Sequence, residues 1–203
     1  INAVGMFDTK AFGRGYGVNW MYGDRAAGDT TLVVGFGWPV VGFDPADRAD
    51  LDLMLRHVAD TPLNRFAGTR ERLAHMINAY NALSMANVID SGLPETHAGF
   101  VAKLRFFVLR KQVIGGEALS LYAFENDVIR PFTRTIGEPR VHFALNCSAL
   151  ACPALPRQPF RAATLDADLA RETLAFFSRP ENLRVDDTAR AVWLSELLNF
   201  YPD

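Results

Sequence analysis

The chain of 203 residues contains only two cysteines, no long run of apolar residues and no cluster of basic residues. Two cysteines are too few for a disulfide-rich scaffold. No apolar run reaches the roughly 18 to 20 residues that a membrane-spanning helix needs, and no signal peptide is visible. The formal net charge is -2, which gives no reason to expect a nucleic-acid partner. We therefore predict no membrane span and no nucleic-acid partner.

The composition that remains is typical of a globular protein, with 49% hydrophobic and 22% charged residues. This length suits one domain with a substantial core. We predict an α+β fold: a helix-rich single domain over residues 44–203, packed on a small antiparallel sheet. Residues 1–43 are rich in glycine and aromatics and are predicted to be an irregular segment. Their glycines do not form a dinucleotide fingerprint, and we predict no cofactor and no bound metal.

Local signals place most of the elements. A glycine pair at Gly115-Gly116 predicts a β-hairpin, and a second hairpin is predicted between residues 183 and 194. Residues 103–113 fit either a strand or a short helix. Spacing of apolar residues, capping residues and prolines predict four helices, over 44–59, 69–91, 121–129 and from 164 to just before Pro180.

The stretch from Arg140 to Pro153 holds both cysteines. Val141 to Leu145 is β-branched, aromatic and apolar, which predicts a buried strand. Asn146 then predicts a turn that presents Cys147. A helical turn after Cys147 would offer backbone N–H groups to a thiolate or an oxyanion. Cys147 is therefore a candidate nucleophile.

Other roles for Cys147 stay open. Free cysteine is often a small buried hydrophobic residue, and Cys147 could instead form a disulfide with Cys152 if the segment turns. The spacing of five is neither a redox CxxC motif nor a usual zinc pair. Zinc would also need ligands from scattered histidines.

The base for such a thiol is His142 or His75. Five residues of strand span about 16 Å, beyond hydrogen-bond reach, so His142 meets Cys147 only if the chain folds back. His75 lies three residues before Asn78 on the same helix face and is the second candidate. Glu125 would orient the base, or it is salt-bridged to Arg130 or to another arginine.

Asn78 and Asn81 are three residues apart, so they share a face of the predicted helix over 69–91. Asparagine is a poor helix former. Two of them on so apolar a helix indicate buried amides with defined partners. They either brace a neighbouring loop or line a polar pocket together with His75 and Asn146.

Three segments in this order resemble the family catalogued as domain of unknown function 547. The match extends over about residues 44–203, and a closing segment, Trp193 to Tyr201, also fits. The three segments are Glu71-Arg-Leu-Ala-His-Met-Ile-Asn-Ala-Tyr-Asn-Ala-Leu83, Gly116-Glu-Ala-Leu-Ser-Leu-Tyr-Ala-Phe-Glu-Asn-Asp-Val-Ile-Arg130 and His142-Phe-Ala-Leu-Asn-Cys-Ser-Ala-Leu-Ala-Cys-Pro-Ala-Leu155.

The family has no established activity, so the resemblance identifies the chain more firmly than its role. It implies an exported, periplasmic bacterial protein. Two departures matter, because Asn126 stands where the family often has histidine, and His75-Met76 stand where it often has aromatics. The resemblance also implies a polar site at the matching positions Asn78, Asn81, Glu125, His142 and Cys147.

Three hypotheses follow. The first is a thiol-dependent hydrolase or acyl transferase, with Cys147, His142 or His75, and Glu125 as catalytic residues and the asparagines as polar stabilisers. The second is a non-catalytic binding or scaffold module whose polar cluster is structural. The third is a metal site built on Cys147 and histidines. The expected ligand is a small molecule or a peptide that the sequence does not identify.

Overall fold

The computed structural model describes residues 45–91, 100–147, 152–156, 158–195 and 197–200. The segment 1–43 that was predicted to be irregular lies outside the described residues. So do two predicted helix boundaries, the cap at Asp44 and the stop at Gly92-Leu-Pro94. Among the residues described, no helix is both long enough and apolar enough to cross a membrane.

The fold is α+β and helix-rich, as predicted, and the described residues form two separate two-stranded antiparallel sheets. Single 3-10 turns occur at Leu63–Arg65 and Pro139–Phe143. Strands β1 and β2 form the first sheet, and β3 and β4 form the second. The helices are α1 (Pro45–Asp60), α2 (Thr69–Asp90), α3 (Phe100–Leu104), α4 (Leu121–Ala123), α5 (Arg130–Ile136), α6 (Leu165–Phe177) and α7 (Leu197–Phe200), and the strands are β1 (Lys111–Ile114), β2 (Glu117–Ser120), β3 (Leu183–Asp186) and β4 (Ala191–Leu194).

Helix α2 is the centre of the core, and its predicted extent is confirmed. Every residue from Leu73 to Val88 is buried, so the helix is covered on all sides rather than along one stripe. Burying a large apolar side chain contributes about 1.5–3 kcal/mol, which makes α2 the main source of hydrophobic stabilisation. Gly68, and not the predicted Thr69, is the N-cap, and it makes no side-chain hydrogen bond.

The hairpin β1–β2 confirms the turn predicted at the glycine pair. Gly115 and Gly116 have φ of 59° and 91°, which suits a type I′ turn and disfavours residues with a Cβ. A Cβ on Gly115 would also lie 3.1 Å from the Pro62 Cα. The Gly115 N–H donates to the Val58 carbonyl oxygen at 2.9 Å, and this bond ties the hairpin to the end of α1.

The ambiguous stretch 103–113 contains both alternatives. Helix α3 continues into a π-helical turn at Arg105–Leu109, and strand β1 follows. Ser120 caps α4 as predicted, because its hydroxyl oxygen accepts the Ala123 N–H.

The predicted stop at Pro131 is wrong, because the helical run continues from α4 to the end of α5. A π-helical turn at Phe124–Ile129 separates the two helices, and Pro131 lies in the first turn of α5. The missing N–H of proline is tolerated in a first turn. Gly137, at φ 68°, ends α5 in the left-handed conformation.

The strand predicted at Val141 to Leu145 is also wrong. Residues Pro139–Phe143 form the 3-10 turn instead. Pro139 presets a helical φ, and the Glu138 carboxylate accepts the Arg140 N–H and caps the turn. These local signals outweigh the β propensity of the apolar residues. His142 therefore does not lie on an extended strand.

The C-terminal part follows the prediction more closely. Helix α6 and the hairpin β3–β4 are both present, and Leu183 pairs with Leu194 at the open end of that hairpin. Phe143, at the end of the 3-10 turn, packs on Phe176 and Phe177 at 5.1 Å and 4.9 Å between ring centroids. This aromatic contact seats α6 against the segment that leads to Cys147.

Candidate functional site

Helix α2 carries buried polar side chains at every third position. Three residues make somewhat less than a full turn of an α-helix. Side chains three positions apart therefore point in slightly different directions and face different neighbours. All five are buried to at least 99%, and buried polar groups are costly unless they are hydrogen-bonded. This polar stripe consists of His75, Asn78, Asn81, Ser84 and Asn87.

Asn78 binds the backbone of a single distant residue. Its Nδ2 donates to the Phe160 carbonyl oxygen at 2.8 Å, and its Oδ1 accepts the Phe160 N–H at 3.0 Å. Both ends of the amide are therefore used to hold a loop that lies 82 positions away in sequence.

Asn81 holds the cysteine-bearing segment in a similar way. Its Nδ2 donates to the Ala144 carbonyl oxygen at 3.0 Å, and its Oδ1 accepts the Asn146 N–H at 2.8 Å. The two asparagines therefore brace loops, which is one of the two roles the sequence left open for them.

Asn87 is a third member of this set that the sequence interpretation missed. Its Nδ2 donates to the Phe106 carbonyl oxygen at 3.0 Å, and its Oδ1 accepts from the Gln112 side chain at 3.1 Å. The repeat of polar residues every third position from His75 to Asn87 was the available signal. We refer to Asn78, Asn81 and Asn87 as the asparagine clamps.

The two cysteines are joined by a disulfide between Cys147 and Cys152, with 5.9 Å between their Cα atoms. The flanking residues are also linked, because the Asn146 Nδ2 donates to the Pro153 carbonyl oxygen at 2.7 Å. In this oxidised form neither sulfur is a thiol or a thiolate, and no free cysteine is present. Cys147 therefore lies on a covalently closed loop that Asn81 anchors to α2 through Asn146.

Glu125 is buried and faces α2. The Tyr80 hydroxyl donates to the Glu125 Oε2 at 2.7 Å. Hydrogen bonds to a carboxylate are among the stronger ones in proteins. This contact fastens the π-helical turn to the central helix.

His75 lies at the other end of the stripe and contacts different neighbours. Its ring packs on Phe66 at 4.6 Å and against His57 at 5.9 Å between centroids. Burial, and after it the charge of His57, lower the pKa of His75 to about 3. His75 is therefore neutral at physiological pH.

His142 lies in a cleft of about 250 Å³ between α5 and the 3-10 turn, and the residue is only 9% exposed. We call this the α5 cleft. It is lined by Arg130, Thr133, Arg134, Gly137, Glu138, Pro139 and His142.

The acidic residue of the α5 cleft is engaged by a neighbouring arginine. The Arg140 guanidinium donates to both carboxylate oxygens of Glu138, at 2.8 Å and 2.7 Å. It also donates to the Asp166 carboxylate at 2.7 Å. The hydrogen bonds to Glu138, and then to Asp166, raise the pKa of Arg140, so Arg140 stays charged and neutralises Glu138.

No group of three or more histidine, cysteine, aspartate or glutamate side chains is arranged to hold a metal ion in the parts of the chain that the structure describes. The members of the predicted site make the following contacts. Asn81 accepts the Asn146 N–H, and Asn78 binds the Phe160 backbone. Glu125 accepts from Tyr80 of α2, His75 packs on Phe66, and His142 lines the α5 cleft.

A family model described as "Protein of unknown function, DUF547" matches residues 64–177, more than half of the chain. The chain belongs to this family. The resemblance seen in the sequence is thereby confirmed. No curated protein and no solved structure shows a significant match.

In this DUF547 protein the matched region contains the polar stripe, the disulfide and the α5 cleft. The sequence identified Asn78, Asn81, Glu125, His142 and Cys147 as members of one site. It gave no indication that Tyr80 donates to Glu125 or that Arg134 lines the same cleft as His142. The end of the second resembling segment, Arg130, and the start of the third, His142, both line the cleft, which was the signal that could have located it.

Proposed function

We propose that this DUF547 protein is a non-catalytic binding or scaffold module whose asparagine, glutamate, histidine and cysteine residues serve the structure. The supporting observation is the use of the asparagine clamps. Asn78 and Asn81 are 0% exposed, and both ends of each amide are bonded to backbone groups.

A group that stabilises a reacting atom must direct a donor or an acceptor toward the position of that atom. In Asn78 and Asn81 those donors and acceptors already serve Phe160, Ala144 and Asn146. Breaking these bonds would leave backbone groups buried without partners, at about 1–3 kcal/mol each. This cost favours a structural role for both amides.

The disulfide supports the same proposal. A thiol nucleophile acts as a thiolate, and the bond between Cys147 and Cys152 removes that form. Disulfides persist in oxidising compartments and are rare in the cytosol. We therefore also propose that the protein is exported and works in its oxidised form.

Alkylation with iodoacetamide tests the proposal, with Cys152 as an internal control for Cys147. Without reductant we expect no adduct on the folded protein by mass spectrometry. After reduction, we expect Cys147 to be unreactive or to react with a pH midpoint near the ordinary thiol pKa of about 8.5. Peptide mapping separates the two sites.

A catalytic thiol would behave differently. If reduced Cys147 reacted about as fast at pH 6 as at pH 8.5, and well ahead of Cys152, its thiolate would be stabilised. The structural role of Cys147 would then be wrong, and the thiol-dependent hydrolase or acyl transferase would replace it.

A further inference from the structure

We propose that residues 101–114 form a surface by which the protein binds a membrane containing anionic lipids. We call these residues the basic apolar segment. They include most of α3, the π-helical turn at Arg105–Leu109 and strand β1. The proposal goes beyond the binding or scaffold role argued above, because it names a partner and the surface that meets it.

Several apolar side chains of this segment are exposed to water. Val101 is 73% exposed and Leu109 is 62% exposed, and Val108 and Val113 are also exposed. Burying such surface against an apolar partner is favourable. Exposed apolar surface that is accompanied by polar residues often marks a site of contact with a protein or a membrane.

The segment is held firmly on the central helix. The Asn87 Nδ2 donates to the Phe106 carbonyl oxygen at 3.0 Å, and the Gln112 side chain donates to the Asn87 Oδ1 at 3.1 Å. Arg110 forms an ion pair with Asp90, at the end of α2, at 3.1 Å. The exposed side chains are therefore presented on a fixed backbone, which lowers the entropic cost of binding.

The charge of the segment is opposite in sign to that of the whole chain. It contains four basic residues and no acidic residue, whereas the chain has a net charge of -2. Among the residues that the structure describes, Lys103, Arg105 and Lys111 are exposed and make no ion pair. Arg110 is the basic residue that is already paired. Three positive charges therefore remain for an anionic partner.

Exposed aliphatic side chains and basic side chains in one segment fit a lipid surface. The aliphatic groups can enter the boundary between headgroups and acyl chains, and the basic groups attract anionic headgroups. A single copy of this combination gives reversible attachment to the surface and does not require a membrane-spanning helix.

The hairpin β3–β4 provides a comparison within the same molecule. Val185, Val192 and Leu194 are exposed there as well. The Arg184 guanidinium, however, lies over the Trp193 ring at 4.2 Å, and the turn of this hairpin contains the acidic pair Asp186-Asp187. The β3–β4 hairpin thus has exposed apolar side chains without an excess of positive charge, so we expect it to contribute little to binding of anionic lipid.

Co-sedimentation of the full chain with lipid vesicles tests the proposal at an ionic strength of about 0.1 M. One set of vesicles contains equal parts of phosphatidylglycerol and phosphatidylcholine, and the other contains phosphatidylcholine alone. We expect binding to the anionic vesicles to be at least about tenfold tighter, because each basic residue near an anionic surface strengthens binding. Raising the salt concentration to about 1 M should remove most of this difference.

Substitutions then locate the surface. Each lysine near an anionic membrane accounts for about fivefold in affinity, so Lys103→Gln combined with Lys111→Gln should weaken binding about 25-fold. Leu109→Ser should weaken it about threefold or more, because it removes apolar surface that would be buried.

Two control variants match these substitutions elsewhere on the surface. Arg56→Gln removes an exposed basic residue of α1, and Leu194→Ser removes an exposed leucine of β4. Both should leave the affinity for anionic vesicles within about twofold of the native value. Circular dichroism confirms that every variant is folded.

Absence of binding to the anionic vesicles, or equal binding to the two vesicle compositions, would overturn the proposal. Equal losses in the segment variants and in their controls would overturn it as well. Binding to soluble polyglutamate without binding to anionic vesicles would replace the membrane by an acidic protein partner.

The alkylation experiment is independent of this one. A reactive thiolate at Cys147 would defeat the structural role of the cysteines and leave membrane binding standing. Failure to bind anionic vesicles, together with an unreactive Cys147, would defeat only the present inference.

Discussion

The central helix and the α5 cleft use polar residues in opposite ways. On α2 the asparagine clamps are 0% exposed, and their amides bind backbone or side-chain groups of the protein itself. At the cleft, charged side chains lie at the surface around a cavity, and Arg134 is exposed. Both regions contain residues by which the chain resembles its family.

The difference concerns how much each kind of polar group contributes to stability. A buried amide that binds two backbone groups stabilises the fold, because its loss leaves those groups without partners. An exposed charged group beside a cavity contributes little to stability. Substitutions of the asparagine clamps should therefore change the free energy of unfolding much more than substitution of the exposed Arg134.

Asn78→Ala should have the largest effect on stability. It removes both hydrogen bonds to the Phe160 backbone and leaves a buried N–H and a buried carbonyl, so we expect a loss of about 3 kcal/mol. Urea unfolding followed by circular dichroism measures it. Asn126→Ala, at a partly exposed asparagine of the π-helical turn, is the control and should cost less than about 1 kcal/mol.

Asn78→Asp tests the donor of the Asn78 amide by itself. A carboxylate can accept the Phe160 N–H but cannot donate to the Phe160 carbonyl oxygen. This variant should also be clearly destabilised. A native-like unfolding midpoint in both Asn78 variants would mean that the clamp is dispensable, and the contrast between the two regions would lose its basis.

The distance in sequence between partners explains which parts of this fold were predictable. The turn at Gly115-Gly116 and the cap at Ser120 were predicted correctly because their signals lie within a few residues. Asn78 and Asn81 were predicted to be buried amides with defined partners, but the partners themselves were not identified, and Asn87 was missed. The partner of Asn78 lies 82 positions away, and no local pattern identifies it.

The errors have a similar cause. The apolar residues after Arg140 favour a strand, but Pro139 and the Glu138 cap impose a 3-10 turn. Pro131 usually ends a helix, but the π-helical turn before it lets a new first turn begin. The cleft escaped prediction because its lining combines the end of α5 with the 3-10 turn, and only the fold brings these together.

The buried His75 should make the stability of the protein depend on pH. The size of this effect should lie between those of the Asn78 and Arg134 substitutions. Burial lowers the pKa of His75 to about 3 in the folded state, whereas the unfolded chain takes up the proton below about pH 6.5. The unfolded state then binds more protons, so stability falls as the pH falls below about 6.5 and continues to fall toward pH 3. Between pH 7 and 5.5 the loss due to His75 should be about 1 kcal/mol.

His75→Phe removes the titrating group and keeps an aromatic ring beside Phe66. Urea unfolding at pH 7 and at pH 5.5 measures how much stability is lost between these two pH values. The variant should lose about 1 kcal/mol less than the native protein does. The pKa of His57 is also lowered, mainly by burial, so some pH dependence should remain. An unchanged loss in the variant would show that His75 is not the group responsible.

Arg134→Gln should have the smallest effect on stability, and this result decides whether the comparison holds. Arg134 is exposed on α5, and surface substitutions usually change the free energy of unfolding by less than about 0.5 kcal/mol. Urea unfolding in a buffer without phosphate or carboxylate measures the change in the free energy of unfolding.

A loss above about 1 kcal/mol would show that the fold requires Arg134, as it requires the asparagine clamps. A neutral result, set beside a large loss in Asn78→Ala, would separate the two regions by experiment.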